Sequence, residues 1–394
     1  MAPRKAQLDD GASPSPAEPA SLFAEAAARP GVKHRPSKQV YQVPQDRPVA
    51  ERHAPDDASD ADQRAVRSVD WGAFRFIDLF AGIGGLRLGF ESVGGRCVFS
   101  SEWDADAQTT YEANFGHKPH GDITQIDPAS IPDHDVLLGG FPCQPFSIIG
   151  ERKGFGDTRG TLFFNVQEIL RVKRPAAVLL ENVKQFRTHD GGRTHRTVVH
   201  AMNALGYFTH TASLNALHYG VAQRRERTFI AAFRADLPFE FPLPVRTAAT
   251  LDGVLEPDGD IDPKLWASKA IQAKRLARLR EQGQAPFYPS IWHENKGGHI
   301  GMHPYSCALR ANASYNYLLV NGVRRPSGRE NLRLQGFPES HRIVVPYSAI
   351  RKQAGNSVAV PVIEAIARSM MASLRGAPEV VTRPEAAGSA LSPR

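Results

Sequence analysis

The sequence predicts an α/β protein with a doubly wound, mostly parallel sheet, followed by a smaller second domain. From residue 74 to residue 233, short apolar runs alternate with helical patterns. The runs are apolar throughout, as expected for strands that are covered on both faces by helices. Beyond Pro238 this alternation ends, prolines recur, and a basic helix is expected over residues 266–282.

The predicted strands and helices follow a regular order. The expected strands span residues 76–80, 97–100, 136–140, 177–181, 208–214 and 228–233. The expected helices span residues 86–91, 105–114, 162–173, 198–205 and 360–374. The last helix is amphipathic enough to pack back onto the sheet. In the smaller domain, residues 315–322 are expected to form a strand that leads into a turn.

Composition divides the chain into five segments. Residues 1–70 and 376–394 have little periodic apolar content and are predicted to be mostly disordered, with residues 40–43 the only stretch expected to dock. Between them we expect a large domain that carries the ligand site (71–237), a smaller domain (238–325), and a hinge and C-terminal segment (326–375). That last segment is expected to return to the large domain.

Charge and cysteine content narrow the classes of function. The formal net charge is +7, and residues 1–70 are nearly neutral, so the basic excess lies in the body of the protein. It suits a polyanionic partner, although ordinary solubility charge is an alternative. The three cysteines are far apart, which argues against a zinc cluster or a disulfide scaffold. Neither an apolar membrane span nor a secretory signal is apparent, so no membrane association or export is expected.

Glycines and polar residues gather where the first strands end. In a doubly wound sheet this edge binds ligands, and an acid after the second strand commonly accepts ribose hydroxyls. The spacing is not Gly-x-Gly-x-x-Gly, so a dinucleotide is not indicated. A tight turn and a solvated Glu-Trp pair are the alternatives, but the group together favours a nucleoside cofactor. Its members are Asp78, Phe80, Gly82, Gly84 and Gly85, then Glu102 and Trp103, then Asp122 and Ile123 after an expected third strand.

A cysteine between two prolines is the strongest chemical signal. Cys143 stands in the run GFPCQP, residues 140–145, just after a predicted buried strand. Most lone cysteines are small buried apolar residues. Here Pro142 and Pro145 stiffen the backbone on either side, which favours a thiol presented at the ligand edge of the sheet as a nucleophile.

From about residue 74 to residue 374, the chain resembles the C5 cytosine DNA methyltransferases of bacterial restriction-modification systems. The motifs of that family stand here in its usual order. They occupy residues 80–82, 102–103, 121–123, 142–144, 160–163, 181–183, 223–227, 329–338 and 353–358.

The resemblance implies an S-adenosylmethionine-dependent methyltransferase fold and methyl transfer from S-adenosylmethionine to C5 of cytosine. The cytosine would be flipped out of double-stranded DNA. Cys143 is implied to attack C6, and Glu181 to protonate N3. Arg227 is implied to hold O2, and Arg225 to organise the carboxyl and the thiol. We expect burial to raise the pKa of Glu181, because a carboxyl in this role must hold a proton near neutral pH.

The resemblance also completes the expected binding sites. It adds Pro142, Leu162, Asn356 and Ser357 to the cofactor site, and no metal is expected. The glycine-rich segment 148–160 is expected to close over DNA as a lid, with contacts from Ser147, Ile148, Ile149, Arg152, Lys153 and Arg159. In the smaller, target-recognition domain, base-edge contacts are expected among Lys296, His299, Arg310 and Asn312, with His293, Asn295 and Tyr315 as further candidates.

Two other functions stay open from the sequence. The same machinery can methylate RNA, and the same scaffold can serve as a DNA-binding regulator without turnover. The retained thiol, together with Glu181, Arg225 and Arg227, favours the enzyme, and the length of the recognition domain favours duplex DNA. The resemblance further implies a functional pairing with a restriction endonuclease. We expect a cytoplasmic, nucleoid-associated monomer.

Overall fold

The computed structural model of the protein describes residues 41–55, 59–142, 162–245 and 249–376. In chain order, the first eight strands are β1 (Ala50–His53), β2 (Arg75–Leu79), β3 (Arg96–Ser101), β4 (Val136–Gly139), β5 (Ala177–Val183), β6 (Phe208–Asn215), β7 (Gln223–Arg224) and β8 (Glu226–Phe233). All of them except β7 form one sheet, in the order β1-β6-β8-β5-β4-β2-β3. The strands from β3 to β5 in this order are parallel to one another, whereas β8 runs antiparallel between β5 and β6.

Helices cover both faces of this sheet. The helices are α1 (Asp60–Arg67), α2 (Gly85–Glu91), α3 (Ala105–Phe115), α4 (Phe163–Lys173), α5 (Arg193–Ala204), α6 (Lys269–Glu281), α7 (Gly328–Arg333), α8 (Tyr347–Asn356) and α9 (Val360–Leu374). Buried side chains of α2 and α9 pack on one face, and those of α4 and α5 pack on the other. The predicted fold class, a doubly wound and mostly parallel sheet with helices on both sides, is confirmed.

The last helix returns to the large lobe, as the sequence predicts. A Cβ placed on Gly89 of α2 would lie 2.4 Å from Ile363 Cγ2 of α9, so only glycine allows the two helices to approach this closely. The stretch Tyr347–Leu374 is long and apolar enough to cross a membrane by composition, but 67% of its apolar window is buried inside the protein. That burial is typical of a core helix.

Residues 41–55 and 59–70 differ from the prediction of a mostly disordered extension. Their β1 pairs antiparallel with β6 at the edge of the sheet, and α1 docks through Val66, which is buried. Asp62 of α1 forms ion pairs with Arg174, at 2.7 Å, and with Arg234. Residues 40–43 were expected to dock on the body of the protein. Tyr41 does so, because its hydroxyl lies 2.8 Å from His218 Nε2.

The second lobe contains a small sheet of its own. Its strands are β9 (Ile291–Glu294), β10 (Ile300–His303) and β12 (Leu318–Val320), in the order β10-β9-β12, while β11 (Ser306–Cys307) pairs with β7 of the large lobe. The strand expected over residues 315–322 is the shorter β12. The basic helix α6 begins at Lys269 instead of residue 266, because the Ser268 side chain accepts a hydrogen bond from Ile271 N and caps the helix there. The domain bounds themselves stay predictions.

Candidate active site

A cavity of about 1160 Å³ opens where β2, β4 and β5 end. Its walls come from the loops after these strands, from residues 309–313 of the second lobe and from residues 352–358. A pocket for one small ligand usually measures about 300–1,000 Å³. The cavity is therefore large enough for a nucleoside cofactor and a second ring at its side.

Most of the residues predicted for the cofactor line this cavity. They are Phe80, Gly82, Gly85, Glu102, Trp103, Asp122, Ile123, Pro142, Leu162, Asn356 and Ser357.

Asp78 and Gly84 do not line the cavity, contrary to the prediction. The side chain of Asp78 is fully buried within the sheet, and burial raises its pKa well above the usual carboxyl value. Gly84 is the N-cap of α2 at φ 84°, and a Cβ there would lie 2.2 Å from the Phe115 ring. Both residues therefore lie away from the lining of the cavity.

Glu102 is held in place by the glycine loop. Its Oε2 accepts a hydrogen bond from Gly82 N at 2.8 Å, and its Oε1 accepts one from Asp104 N at 2.8 Å. Each oxygen keeps a further lone pair for a ligand hydroxyl. The neighbouring Trp103 is 79% exposed, which is unusual for an indole and fits a surface on which an adenine ring stacks. These two residues therefore fit the nucleoside part of S-adenosylmethionine.

Asp122 reaches the cavity by a different route from the one predicted. No third strand precedes it among the described residues 102–121; His120 forms only a single bridge with Ser101. Asp122 caps a short 3-10 helix by accepting a hydrogen bond from Thr124 N at 2.9 Å. Its second carboxylate oxygen has no described partner and is able to accept an amino group.

A buried carboxyl and a cation face each other across β5 and β8. Glu181 lies on β5, and Arg227 lies on β8 opposite Val183, two residues along the ladder. This diagonal places Arg227 Nε 3.0 Å from Glu181 Oε1. Burial raises the pKa of Glu181, and the nearby cations of Arg227 and Arg225 only partly offset this effect. The carboxyl therefore holds its proton to higher pH than an exposed glutamate.

Arg225 ties three parts of the cavity wall together. It stands between β7 and β8, and its guanidinium donates to Leu309 O at 3.0 Å, Gly355 O at 3.1 Å and Ser357 O. Burial and the neighbouring Arg227 cation lower the pKa of Arg225 to about 9. The described hydrogen bonds of Arg225 thus go to backbone carbonyls, and its expected action on the carboxyl is electrostatic.

The chain leading to Cys143 lies beside Glu181. Cys143 itself, with Ser147, Ile148, Ile149, Arg152, Lys153 and Arg159, falls outside the described residues. Asn182 Nδ2 donates to Phe141 O at 2.9 Å, and a Cβ placed on Gly140 would lie 3.6 Å from Glu181 Oε2. Asn182 therefore positions the backbone two residues before the cysteine. The only sequence signal for this role was its place next to Glu181.

The predicted DNA contacts of the second lobe divide into two groups. Arg310 and Asn312 line the cavity. Lys296 lies in an exposed turn, and His299 lies 2.9 Å from Gln282 Nε2 of the segment after α6. Neither of these two residues lines the cavity, so any DNA contact of theirs lies outside it.

Comparison with known proteins agrees with this geometry. Residues 74–372 match the family described as C-5 cytosine-specific DNA methylase. The chain belongs to this family. It is 59% identical to Type II methyltransferase M.NgoBI of Neisseria gonorrhoeae, over 74% of this chain and 91% of that protein. It is 55% identical to M.HaeII of Haemophilus aegyptius, over 76% and 94%. The S. pombe Dnmt2 methyltransferase shares the fold at TM-score 0.56 and 18% identity, over 76% of this chain and 98% of that one.

Membership identifies the chemistry of the methylase. The protein is a DNA (cytosine-5)-methyltransferase that uses S-adenosylmethionine as methyl donor. The predictions of family, activity and cofactor are confirmed. The family match begins at residue 74, so β1 and α1 lie outside it.

Proposed function

We propose that the methylase modifies a cytosine flipped out of a specific double-stranded DNA sequence, through a covalent bond between Cys143 and C6. The main support is one arrangement in the cavity. Glu181 and Arg227 face the segment 140–142 that leads to Cys143, and the cofactor residues line the same space. The proposed nucleophile, proton donor and methyl donor would thus all border the same cavity.

Each group in this arrangement has a distinct task. The Cys143 thiolate forms a bond to C6, and the electron pair of the C5–C6 double bond moves towards N3, which takes the proton held by Glu181. C5 becomes enamine-like and takes the methyl group, which S-adenosylmethionine supplies as a sulfonium methyl. Loss of the C5 proton, breakage of the S–C6 bond and return of the N3 proton to Glu181 then restore the aromatic ring, the Cys143 thiolate and the protonated carboxyl. Arg227 holds O2 of the base.

The base must leave the duplex, because Cys143 and Glu181 cannot reach C6 and N3 inside a stacked helix. We assign DNA contacts to the lid segment around the cysteine and to the second lobe. The assigned residues are Ser147, Ile148, Ile149, Arg152, Lys153 and Arg159 of the lid, and Lys296, His299, Arg310 and Asn312 of the second lobe. Target choice belongs to the second lobe, residues 238–325.

The relatives suggest a biological setting. The matched proteins are named Type II methyltransferases, and restriction-modification systems pair such enzymes with an endonuclease. We propose that this methylase protects DNA against a partner endonuclease, acting as a monomer in the cytoplasm with the nucleoid. Bisulfite sequencing of DNA from expressing cells would identify the protected sequence.

A trapping experiment tests the covalent step. A duplex with 5-fluorocytosine at the target should hold the wild-type enzyme in a complex that survives denaturing electrophoresis, because fluorine cannot leave C5 as a proton does. Cys143→Ser should give no complex and no turnover. Cys307→Ser is the matched control, since burial raises the pKa of the Cys307 thiol to about 12 and disfavours a thiolate. A stable complex with Cys143→Ser would overturn the assignment.

The same assay separates the other functions. With labelled S-adenosylmethionine, the proposal expects label in duplex DNA and none in RNA of the same sequence. Label in RNA alone would favour an RNA methyltransferase. DNA binding without label in either would favour a regulator.

A further inference from the structure

We propose that Arg310 reads a guanine of the recognised DNA sequence, and that Tyr317 and His293 position its guanidinium for this task. The inference rests on the proposed function of the cavity and adds the identity of a base reader. Four observations support it: the place of Arg310, the support under its side chain, the partner on one edge of the guanidinium, and the donors that are left over.

The backbone that carries Arg310 is fixed against the catalytic lobe. The carbonyl of Leu309, the preceding residue, accepts a hydrogen bond from Arg225 at 3.0 Å. A Cβ placed on Gly355 would lie 2.4 Å from Ala311 N, so the following residue also presses directly on the large lobe. Arg310 lines the cavity and its side chain is exposed. A base flipped into this cavity would leave its neighbours within reach of such a side chain.

Tyr317 supports both the backbone and the side chain of Arg310. Its buried hydroxyl accepts a hydrogen bond from Arg310 N at 3.0 Å, and the guanidinium carbon lies 4.9 Å from the centre of its ring. The cation–π contact holds the guanidinium over the ring. Arg310 therefore gives up little freedom when it binds, which is the condition for geometric selectivity.

His293 occupies one edge of the guanidinium. Its Nε2 lies 3.2 Å from Arg310 Nη2. Burial, followed by the cations of Arg310 and Arg275, lowers the pKa of His293, so the ring is neutral near pH 7 and able to accept this hydrogen bond. Among the described residues, Arg310 Nε and Nη1 have no hydrogen-bond partner.

The free donors of Arg310 match one base edge in particular. A guanidinium fork pairs with O6 and N7 of guanine in the major groove, the commonest specific contact of arginine with DNA. Two of the three arginines of α6 are different, because Arg275 and Arg278 already pair with Glu294; the third, Arg280, is exposed and lies outside the cavity. A phosphate would also accept from Arg310, but a phosphate contact carries no sequence information, and the test separates the two.

The experiment replaces each guanine of the mapped recognition sequence, one at a time, by 7-deazaguanine, which lacks the N7 acceptor. For the wild-type enzyme, kcat/KM should fall roughly tenfold or more at one guanine, as expected for loss of a hydrogen bond to a charged group. In Arg310→Met, the same replacement should have an effect of less than about twofold, because a thioether carries no donor that could sense N7. Arg310→Met should itself lose roughly 5- to 150-fold on the unmodified duplex.

Three further variants sharpen the result. Arg280→Gln removes a cation from the exposed side of α6, outside the cavity; it should affect all duplexes equally and leave the 7-deazaguanine pattern unchanged. His293→Gln, which keeps an acceptor, should preserve the discrimination at the read guanine, whereas His293→Leu should reduce it.

Two outcomes would overturn the proposal. The first is an Arg310→Met enzyme that stays as sensitive to 7-deazaguanine as the wild type. The second is a uniform loss across all duplexes with a shallower salt dependence, which would make Arg310 a phosphate contact. Failure of the proposed function looks different, because the wild-type enzyme would then leave the unmodified duplex unmethylated.

Discussion

The largest stability effect is predicted for Glu330, because its carboxylate is fully buried and each of its oxygens accepts two hydrogen bonds. Arg324 Nη1 and Nη2 donate to its two oxygens at 2.8 and 2.9 Å. The backbone N–H groups of Ser327 and Glu256 donate to the same oxygens, each at 2.8 Å. Glu330 and Ser327 also form a capping box at the start of α7. The carboxylate thus joins the second lobe to the C-terminal segment.

The expected loss follows from these contacts. Glu330→Ala leaves the Arg324 cation buried with Asp258, at 2.7 Å, as its remaining ion-pair partner. Removal of one partner from a buried ion pair costs about 3–5 kcal/mol of unfolding free energy, and the lost cap adds to this. For a folded unit of about 300 residues, with an unfolding entropy of about 2.1 cal/mol/K per residue, this loss should lower the melting temperature by roughly 5–8 °C. Glu330→Gln, which keeps the shape and one acceptor, should lie in between.

The assay is thermal and urea unfolding followed by circular dichroism. Glu339→Ala is the matched control: Glu339 pairs with Arg333 at 2.8 Å, but its side chain is 64% exposed. A surface pair of this kind contributes about 0–1 kcal/mol. If Glu330→Ala destabilises the protein no more than Glu339→Ala does, the buried network does not hold the lobes as described.

Three further predictions concern the catalytic carboxyl and two packed contacts. Glu181→Gln should slow methyl transfer by about 10²–10⁴-fold. Since burial raises the pKa of Glu181, the wild-type single-turnover rate should fall as pH rises through that pKa, and the same decline in the variant would contradict this role. Val66→Ala should lower the urea-unfolding free energy by about 2 kcal/mol; no change would mean that α1 does not dock. Gly355→Ala should destabilise by about 1–3 kcal/mol in the same assay, because its Cβ would meet Ala311 N; an unchanged stability would refute that contact.

The sheet was predictable because its signal is local. Apolar runs such as residues 136–140 and 177–181 are bounded by helical patterns, and this alternation alone indicates strands covered on both faces. The strand β1 and helix α1 gave no such signal. Helix α1 is short and polar, and its docking depends on Asp62 meeting Arg174 and Arg234, more than 100 residues away in the chain. Contacts of this kind leave no periodic pattern in the sequence.

The site was predictable from its motifs, but the direction of individual side chains was not. Glu102 and Trp103, assigned to the cofactor from the motifs, line the cavity, whereas Asp78, assigned to the same site, is buried inside the sheet. Successive side chains of a strand point to opposite faces of the sheet. Asp78 lies within β2, and the apolar pattern of that strand does not show which of the two faces its side chain takes. The hydrogen bonds of Arg225 were likewise out of reach, since their acceptors come from residues 309, 355 and 357.

The contacts of Arg225 connect the reading of DNA to the chemistry. One guanidinium donates to the carbonyl of the residue before Arg310 and to those of residues 355 and 357, next to the residues predicted for the cofactor, and it lies near the Glu181–Arg227 pair. A lysine could not replace it, because a single ammonium lacks the planar fork that reaches several carbonyls at once. A shift of the second lobe would therefore also disturb the wall of the catalytic cavity. Recognition of the correct sequence and a correctly formed active site then depend on the same set of hydrogen bonds.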